Sequence, residues 1–520
     1  MTVAYSIAPS PDKFQGAREQ FAQMVTFLES KEALKLSHAA LEERLTREGR
    51  ELERRLLQEH LDLRGAAERR LAEVSGADGI VRTQPRQLRV RLGSVFGAVE
   101  VVRLVYQVAC APGLAPMDSL LNLPTGYYSH GVRRLVAEHV AKDSFDEVVA
   151  EIEAVTGCPV HKRQVESLAL AAAADFDDFY ANCPIKLADL SSAAHIVLSF
   201  DGKGIVMRSE DLREATRRAA AQANRKLKKR LTKGEKRNRK RMAEVATVYA
   251  IDPFVRDAED VLRELRPAHD VAIRRPRPVL KRVWASVVQD MNEVIEDAFC
   301  YARRLDPNLE RRWVVVVDGN RDQIRAVRKA AKKHGVSVAL IVDLMHVLEY
   351  MWKAAYCFHA EGSQAAQEWV TQRLRAILEG HDPSQVAAGI RRSATRQGLT
   401  PTQRTAADTC ARYLQNNRRW IDYPAALRDG LPIATGVVEG ACRYLVKDRM
   451  DRTGARWSLG GAEAVLRLRA LRTSGDFPAY WAYHLERELH RNHLSLYPDA
   501  RPPIPLPTSR PGAPKLQRIK

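Results

Sequence analysis

The chain has 520 residues, of which 83 are Lys or Arg and 64 are Asp or Glu, so its formal net charge is +19. Hydrophobic residues make up 45 % and charged residues 28 %, which is typical of a folded protein and excludes a wholly disordered one. The length predicts about three or four structural units. No apolar run approaches the roughly 20 residues that a membrane helix needs, and the N-terminus lacks an export signal, so we expect no membrane association.

The seven cysteines are spread along the chain, and neighbouring ones lie at least 25 positions apart. No CxxC pair or zinc-knuckle spacing occurs, so a disulfide scaffold is excluded and a structural zinc site is not expected. An odd, scattered set of thiols is typical of a reducing compartment and predicts a cytoplasmic protein.

Much of the positive charge lies in one segment. From Arg213 to Arg241 there are 14 Lys or Arg and two acids, so this basic arm contributes +12 of the +19. Its densest part consists of Arg225, Lys226, Lys228, Lys229 and Arg230. Such an arm attracts a polyanion, and nucleic acid is the leading candidate. A solvated basic helix or loop without a specific partner is the alternative.

The N-terminal region predicts one long helix over 28–75, in which Leu41, Leu52 and Leu63 repeat at eleven-residue spacing. That stripe suits self-association, and packing against the rest of the chain explains it equally well. An alternating apolar pattern follows between Leu88 and Tyr106 and predicts a small β hairpin or ribbon.

Residues 129–175 predict three helices with short breaks. Ser144 and Glu147 form a capping box for the second helix, and Pro159 stands where the third should begin. A helix followed by a short turn that contains Gly and then by a second helix is the helix-turn-helix pattern. The first turn of the third helix carries four residues able to reach base edges or phosphates: His161, Lys162, Arg163 and Gln164. Generic helix packing remains the alternative to DNA binding.

Apolar strands alternating with helices predict an α/β layer after residue 190. The strand candidates are 195–200, 244–251, 283–287, 313–317 and 336–342. Three of them end in Asp201, Asp318 and Asp343, at the sheet edge where ligands gather in open α/β folds. Asp is also common at strand ends as a turn former or helix cap, so each residue alone is ambiguous. Residues 356–428 lack strand patterns and predict an all-α insertion.

Clustered carboxylates are what phosphodiester chemistry requires, because two Mg²⁺ ions held by oxygen ligands activate the attacking oxygen and stabilise the leaving one. A third carboxylate is available in Glu439, in the first turn of a predicted helix over 436–447. Arg443 and Lys447 follow on the same face, so an ordinary surface ion pair is the alternative. The basic, aromatic surface continues through Arg449, Arg452, Arg456 and Trp457.

Five motifs together resemble a known family: LSFDGKG from Leu198, VVVDGNRDQ from Val315, DLMHVLEYMW from Asp343, TGVVEGACRYLVKDRM from Thr435 and TGARWS from Thr453. This set resembles the DDE transposases of bacterial insertion sequences, above all the ISKra-type transposases, and more distantly the Mutator-like enzymes. The resemblance spans nearly the whole chain and includes LNLPTGYYSHG from Leu121.

The resemblance implies an RNase H-like catalytic core, interrupted by a helical insertion before the glutamate. It implies that Asp201, Asp318 and Glu439 are the catalytic, metal-binding acids, with Mg²⁺ as cofactor and Mn²⁺ as a substitute. Related transposases carry a Cys/Asp-x-x-His element, which Asp343 and His346 match. Asp343 also ends a strand, so it is the alternative to Asp318 as the second ligand.

The predicted fold class is α/β plus all-α. Its segments are an N-terminal helical region (1–85), a β ribbon (86–112), a helix-turn-helix-like DNA-binding region (113–190), a first core segment (191–355, basic arm 205–243), an all-α insertion (356–430), a second core segment (431–495) and a Pro-rich disordered tail (496–520).

The predicted function is a DNA transposase that binds terminal inverted repeats and transfers strands to target DNA as a homodimer or larger assembly, in the bacterial cytoplasm at the nucleoid. The alternatives are a catalytically inactive DNA-binding protein and an RNase H-like nuclease. A tyrosine recombinase would use His484, Arg487 and Tyr497, but Tyr497 opens the predicted tail, a poor place for a nucleophile.

Overall fold

A computed structural model describes residues 13–185, 187, 190–191, 193–222, 235, 239–265, 275–452 and 454–506. The chain forms two compact units, Met1–Phe179 with Phe477–Lys520 and Tyr180–Asp476. Their mixture of helices and small sheets confirms the predicted class of α/β plus all-α at this coarse level. No helix within the described ranges is long and apolar enough to cross a membrane.

In its N-terminal part, from residue 13 onward, the first unit forms five strands and six helices, together with part of a seventh helix. The strands are β1 (Val74–Ser75), β2 (Val81–Arg82), β3 (Gln84–Ser94), β4 (Gly97–Val108) and β5 (Ala111–Leu114). The helices are α1 (Gln15–Leu28), α2 (His38–Ala67), α3 (Pro116–Leu121), α4 (His130–Val140), α5 (Phe145–Thr156), α6 (Lys162–Ala172) and α7 (Phe176–Asn182), the last of which contains the boundary between the units.

The predicted long helix over 28–75 corresponds to α2 alone, which begins at His38 and ends at Ala67, and α1 precedes it. α1 and α2 are separate because Ser37, with extended backbone, caps the start of α2 by accepting a hydrogen bond from Ala40 N at 3.3 Å. Antiparallel strands β3, β4 and β5 form the predicted ribbon. Leu61 of α2 packs against Leu92 and Val99 of this ribbon, so part of the apolar stripe serves the unit's own core.

The helix-turn-helix pattern corresponds to α5 and α6. The capping box of Ser144 and Glu147 is present, and Gly157 ends α5 with φ of 64°. α6 begins at Lys162 and not at Pro159, because His161 still has extended backbone as the N-cap. The intervening turn is stabilised by the Thr156 hydroxyl, which accepts a hydrogen bond from Cys158 N at 3.0 Å.

The second unit is built on a five-stranded mixed sheet. Its strands are β6 (His195–Val206), β7 (Lys240–Ile251), β8 (Val279–Ser286), β9 (Trp313–Val317) and β10 (Val338–Val342). They lie in the order β10-β9-β6-β7-β8. β6, β7 and β8 pair antiparallel, whereas β9 is parallel to both β6 and β10. All five residues of β9 are buried, as expected of a central strand made of Trp and Val.

The helices of this unit follow the strands and then form a long α-only stretch. They are α8 (Glu214–Gln222), α9 (Ala258–Glu264), α10 (Met291–Leu305), α11 (Arg321–His334), α12 (Leu344–Ala355), α13 (Gln364–Leu378), α14 (Pro383–Arg396), α15 (Thr405–Asn417), α16 (Tyr423–Arg428), α17 (Gly436–Ala441), a π-helical turn (Cys442–Lys447), α18 (Asp448–Met450) and α19 (Leu459–Ser474). Between 356 and 430, where the chain is described throughout, helices occur and strands do not.

The C-terminal helix α20 (Phe477–Asn492) belongs to the first unit, so the predicted core segment 431–495 ends at Asp476. His484 Nδ1 of α20 lies 2.7 Å from Asp175 Oδ2, and Arg491 donates to both oxygens of Asp175 at 3.0 Å. These contacts with the buried Asp175 explain why α20 belongs to the first unit. His484 therefore has a partner unrelated to any recombinase site.

The predicted disordered tail begins too early. Tyr497 is only 2 % exposed and packs with Val74, Tyr106 and Leu114, and Pro505 O accepts a hydrogen bond from Arg69 N at 2.7 Å. Burial of the Tyr497 ring among apolar side chains orders this part of the segment despite its proline-rich composition. A buried Tyr497 is not an available nucleophile, and the tail beyond 506 lies outside the described residues.

Candidate active site

Asp201 lies inside β6 and not at its end, which corrects the sequence prediction. Parallel pairing with β9 stops at Ser199, opposite Val316, while antiparallel pairing with β7 continues to Val206. The β7 hairpin therefore keeps the chain extended beyond the parallel part of the sheet. Asp201 is half-buried, and its Oδ1 accepts a hydrogen bond from Gly202 N at 2.7 Å.

Asp318 directly follows β9, as predicted. It stands two residues beyond Val316, just as Asp201 stands two residues beyond Ser199, so both half-buried acids follow the last pair of the parallel β6–β9 register by two residues. Asp318 Oδ1 accepts a hydrogen bond from Asn320 N at 2.8 Å. Its carbonyl accepts another from the hydroxyl of Tyr413, at 2.8 Å. Tyr413, from α15, had no sequence signal that linked it to the site.

Asp343 is fully buried, and both of its oxygens accept hydrogen bonds. Oδ1 accepts from Met345 N at 3.0 Å and from Thr435 N at 3.2 Å. Oδ2 accepts from His346 Nδ1 at 2.9 Å and from the Thr435 hydroxyl. Burial opposes ionisation, but the hydrogen bonds from His346 and Thr435 lower the pKa of Asp343 below its ordinary value. Asp343 thus anchors the start of α12 and holds His346.

His346 forms a charged pair with Asp343. The hydrogen bond with Asp343 raises the pKa of His346 to about 9, against the effect of partial burial. The charges of Asp343, Asp318 and Glu349 act in the same direction. The ring is therefore protonated at neutral pH, and it places one positive charge among the acids.

Glu439 lies in the first turn of α17, as the sequence predicted, and it is half-buried. Burial raises the pKa of Glu439, and the nearby charges of Asp343 and Asp201 raise it further, whereas His346 lowers it. α17 packs against β6 and β7 and continues into the π-helical turn Cys442–Lys447. Short π-helical insertions occur frequently at functional sites.

The structure brings together a different trio from the one predicted. Ligand atoms of Asp343, His346 and Glu439 lie within 4.8 Å of one another. Among the described residues, Asp201, Asp318 and Glu439 do not form such a group. The charge of Asp201 nevertheless raises the pKa of Glu439, and the charge of Asp318 raises the pKa of His346.

No protein-family model matches the chain, and no curated protein matches it.

Two of the residues predicted to contact DNA near Glu439 are buried. Arg449 is 2 % exposed and lies 4.8 Å above the ring of Trp457, which is itself 5 % exposed. The Trp457 backbone pairs with the end of β6, through Val206 and Arg208, and its Nε1 donates to Met450 O at 3.0 Å. These contacts make Arg449 and Trp457 part of the core. Arg443, Lys447 and Arg456 are exposed, as predicted.

The first turn of α6 is exposed at all four predicted residues, His161 to Gln164. Lys162 Nζ pairs with Asp146 Oδ2 at 2.7 Å, and the Gln164 side chain accepts a hydrogen bond from the Tyr128 hydroxyl at 3.0 Å. His161 and Arg163 complete the surface. In the basic arm, Arg225, Lys226, Lys228, Lys229 and Arg230 lie outside the described residues, as does Thr453 of the TGARWS motif.

Proposed function

We propose that the chain is a DDE-type DNA transposase of an insertion sequence, related to the ISKra-type enzymes, with an RNase H-like core in its second unit. The observation that carries the proposal is that Asp201 and Asp318 each lie two residues beyond the last pair of the parallel β6–β9 register, while the charge of Asp201 raises the pKa of Glu439. A meander of three antiparallel strands extended by two parallel ones is the sheet expected of such a core. The helices between 356 and 430 correspond to the insertion before the glutamate.

The donor set fits Mg²⁺. Asp201, Asp318 and Glu439 are all carboxylates, and Mg²⁺ prefers oxygen ligands, usually one or two carboxylates together with water and phosphate oxygens. Such a site does not require all three acids within one tight cluster. Mg²⁺, or Mn²⁺ in its place, would stabilise negative charge on the attacking and leaving oxygens of a phosphodiester.

Asp318 is the better second ligand, and Asp343 is a positioning residue. Asp318 is half-buried and directly follows β9, whereas Asp343 is fully buried with both oxygens engaged by Met345, Thr435 and His346. Releasing Asp343 to a metal would leave buried donors without partners, at a cost of about 1–3 kcal/mol each. His346 stays protonated beside Asp343 and balances the negative charge of the acids.

The reaction proceeds in two displacements without a covalent enzyme intermediate. Water attacks the phosphorus at the element's end, the 3′ oxygen leaves, and a free 3′-hydroxyl and a 5′-phosphate result. That hydroxyl then attacks a target phosphodiester and expels another 3′ oxygen. We expect the exposed Arg443, Lys447 and Arg456 to bind DNA phosphates next to the acids. Pairing of two ends requires at least a homodimer.

The test is strand cleavage and strand transfer on a linear duplex that carries one end of the element with its flanking DNA, with Mg²⁺, with Mn²⁺ and with EDTA. We expect the purified wild type to cleave and to join strands with either metal, and we expect Asp201→Asn, Asp318→Asn and Glu439→Gln to reduce both steps at least 10³-fold, in the range of losses from removing a principal catalytic group. Asp322→Asn is the matched control, because Asp322 is an exposed acid four residues after Asp318 that pairs only locally with Arg325.

Each alternative function gives a distinct result in the same experiment. Specific binding without cleavage by the wild type would indicate an inactive DNA-binding protein. Cleavage without strand transfer would indicate a nuclease. Full activity of Asp318→Asn with an inactive Asp343→Asn would reverse the assignment of the second ligand.

A further inference from the structure

A second cluster of metal-ligand side chains lies between α10 and α11, apart from the acids described above. It consists of Glu296 and Cys300 of α10 and His334, the last residue of α11, whose ligand atoms all lie within 4.8 Å of one another. Glu296 Oε1 is 3.0 Å from His334 Nε2 and 3.9 Å from Cys300 Sγ. A carboxylate, a thiol and an imidazole thus converge on one point.

Local structure places these three side chains together. Glu296 and Cys300 are four residues apart in a helix, so they share a face of α10. α11 packs against α10 and ends at Gly335, which has φ of 64°. The His334 ring lies beside Phe299, with ring centroids 5.7 Å apart, and this contact limits its rotation.

A cation already occupies part of the cluster. Lys333 Nζ lies 2.5 Å from Glu296 Oε1. Burial opposes ionisation of Glu296, but Lys333 and His334 lower its pKa below the ordinary value, so the carboxylate is charged. The Lys333 side chain is 66 % exposed and can turn into water at little cost, since exposed ion pairs contribute about 0–1 kcal/mol.

We propose that Glu296, Cys300 and His334 bind a divalent transition metal of the Zn²⁺ class. Thiolate, imidazole and carboxylate are the ligand types that Zn²⁺ takes, whereas the thiol is a poor ligand for Mg²⁺. On binding, Cys300 releases its proton to solvent, neutral His334 coordinates through Nε2, and Lys333 leaves Glu296. Three protein ligands leave a fourth position for water, as in open zinc sites.

A cleft adjoins the cluster at Glu296, and the Cys300 thiol is itself exposed to solvent. The cleft is lined by residues of α10 and α11, including Asn292, Glu293, Glu296, Lys329 and Lys333. The sequence spacing concealed the site, because 38 residues separate Glu296 from His334 and no second cysteine is near. The packing of two helices brings together ligands that a zinc-knuckle motif would place close together in sequence.

Co²⁺ substitution tests the site in the full chain after EDTA treatment and dialysis. We expect one equivalent of Co²⁺ to produce a near-ultraviolet thiolate-to-metal charge-transfer band, and Zn²⁺ to abolish it by displacement. Cys300→Ser should remove the band and weaken Zn²⁺ binding at least tenfold, and His334→Gln should weaken it similarly. Lys333→Met should strengthen binding, because it removes the competing cation.

Cys110→Ser is the matched control, because Cys110 is also an exposed thiol and lies in the other unit. It should leave the band unchanged, as should Asp343→Asn at the candidate active site. Cys300 is exposed, so its serine variant is expected to fold, and circular dichroism checks this. A wild type without a thiolate band at saturating Co²⁺, or a Cys300→Ser variant that retains it, would overturn the proposal.

Discussion

Thr435 is hydrogen-bonded to Asp343 through its backbone N–H, at 3.2 Å, and through its hydroxyl, across 92 residues of sequence. Asp343 follows β10 directly and is the N-cap of α12, and Thr435 immediately precedes α17, which carries Glu439. The pair therefore joins the two ends of the helical segment. Leu344 N adds a third bond to Ile433 O at 2.9 Å, so the position of Glu439 depends on this junction.

Thr435→Val should destabilise the second unit by about 1–3 kcal/mol, because it removes the hydroxyl donor from a fully buried carboxylate. Urea unfolding measures the change. Thr435→Ser keeps the hydroxyl and should lose less than half as much stability. An equal loss in both variants would show that the Thr435 methyl group matters more than its hydrogen bond.

Gly319→Ala should lower both stability and cleavage. Gly319 has φ of 87°, and an added Cβ would lie 2.8 Å from Asn417 Nδ2, so the turn that follows Asp318 would have to move. We expect a loss of about 1–3 kcal/mol and at least a tenfold lower cleavage rate. Gly436→Ala is the control, because Gly436 is the first residue of α17, which carries Glu439, and a Cβ there meets open space. Equal effects of the two variants would contradict this account.

The pair of Asp343 and His346 predicts a loss of stability at alkaline pH. The folded-state pKa of His346 is about 9, above its unfolded value of about 6.5, so the stabilisation is fully present below pH 6.5 and is lost as pH rises through 9. The ring is partly exposed, so we expect a loss of about 1–3 kcal/mol.

Urea unfolding at a series of pH values, with EDTA present, measures this loss. His346→Gln should remove the pH dependence between 6.5 and 9. A wild type whose free energy of unfolding is constant over that range would refute the pairing of a protonated His346 with Asp343.

Substituting the exposed arginines after Glu439 should weaken DNA binding, whereas substituting the buried one should lower stability. Arg443→Ala and Arg456→Ala should weaken DNA binding and make its dependence on log salt shallower by about 1 for each phosphate contact, while stability stays unchanged. Arg449→Ala should lower the unfolding midpoint because it removes a buried side chain from the Trp457 ring. Titrations of labelled duplex at several salt concentrations and thermal unfolding separate the two effects. A normal unfolding midpoint for Arg449→Ala would contradict its core role.

A further prediction concerns the contribution of the basic arm to DNA binding. Replacing Arg225, Lys226, Lys228, Lys229 and Arg230 by Gln should weaken binding to any duplex and make its dependence on log salt shallower by up to about 4 or 5. The folded core should be unaffected in thermal unfolding. Unchanged salt dependence would mean that the arm does not contact DNA phosphates.

Several features follow from local sequence alone. The bounds of β9 follow from five consecutive apolar residues at Trp313–Val317, and the start of α5 follows from the capping box of Ser144 and Glu147. The capping box is a contact within three residues, and the apolar run marks the bounds of β9 although its pairing partners are distant in sequence. Asp318 and Glu439 were placed correctly for the same reason, since each directly follows a strand or begins a helix.

Only the tertiary structure decided the rest, because it depends on partners distant in sequence. Asp201 lies within a strand because β7 extends the pairing beyond it. Asp343 is a buried anchor because Thr435 meets it. Arg449 and Trp457 are of the residue types expected on an exposed basic surface, yet packing against the end of β6 buries them. The sequence by itself determined which residues have the chemistry, and the packing decided which of them hold the structure and which remain available to a ligand.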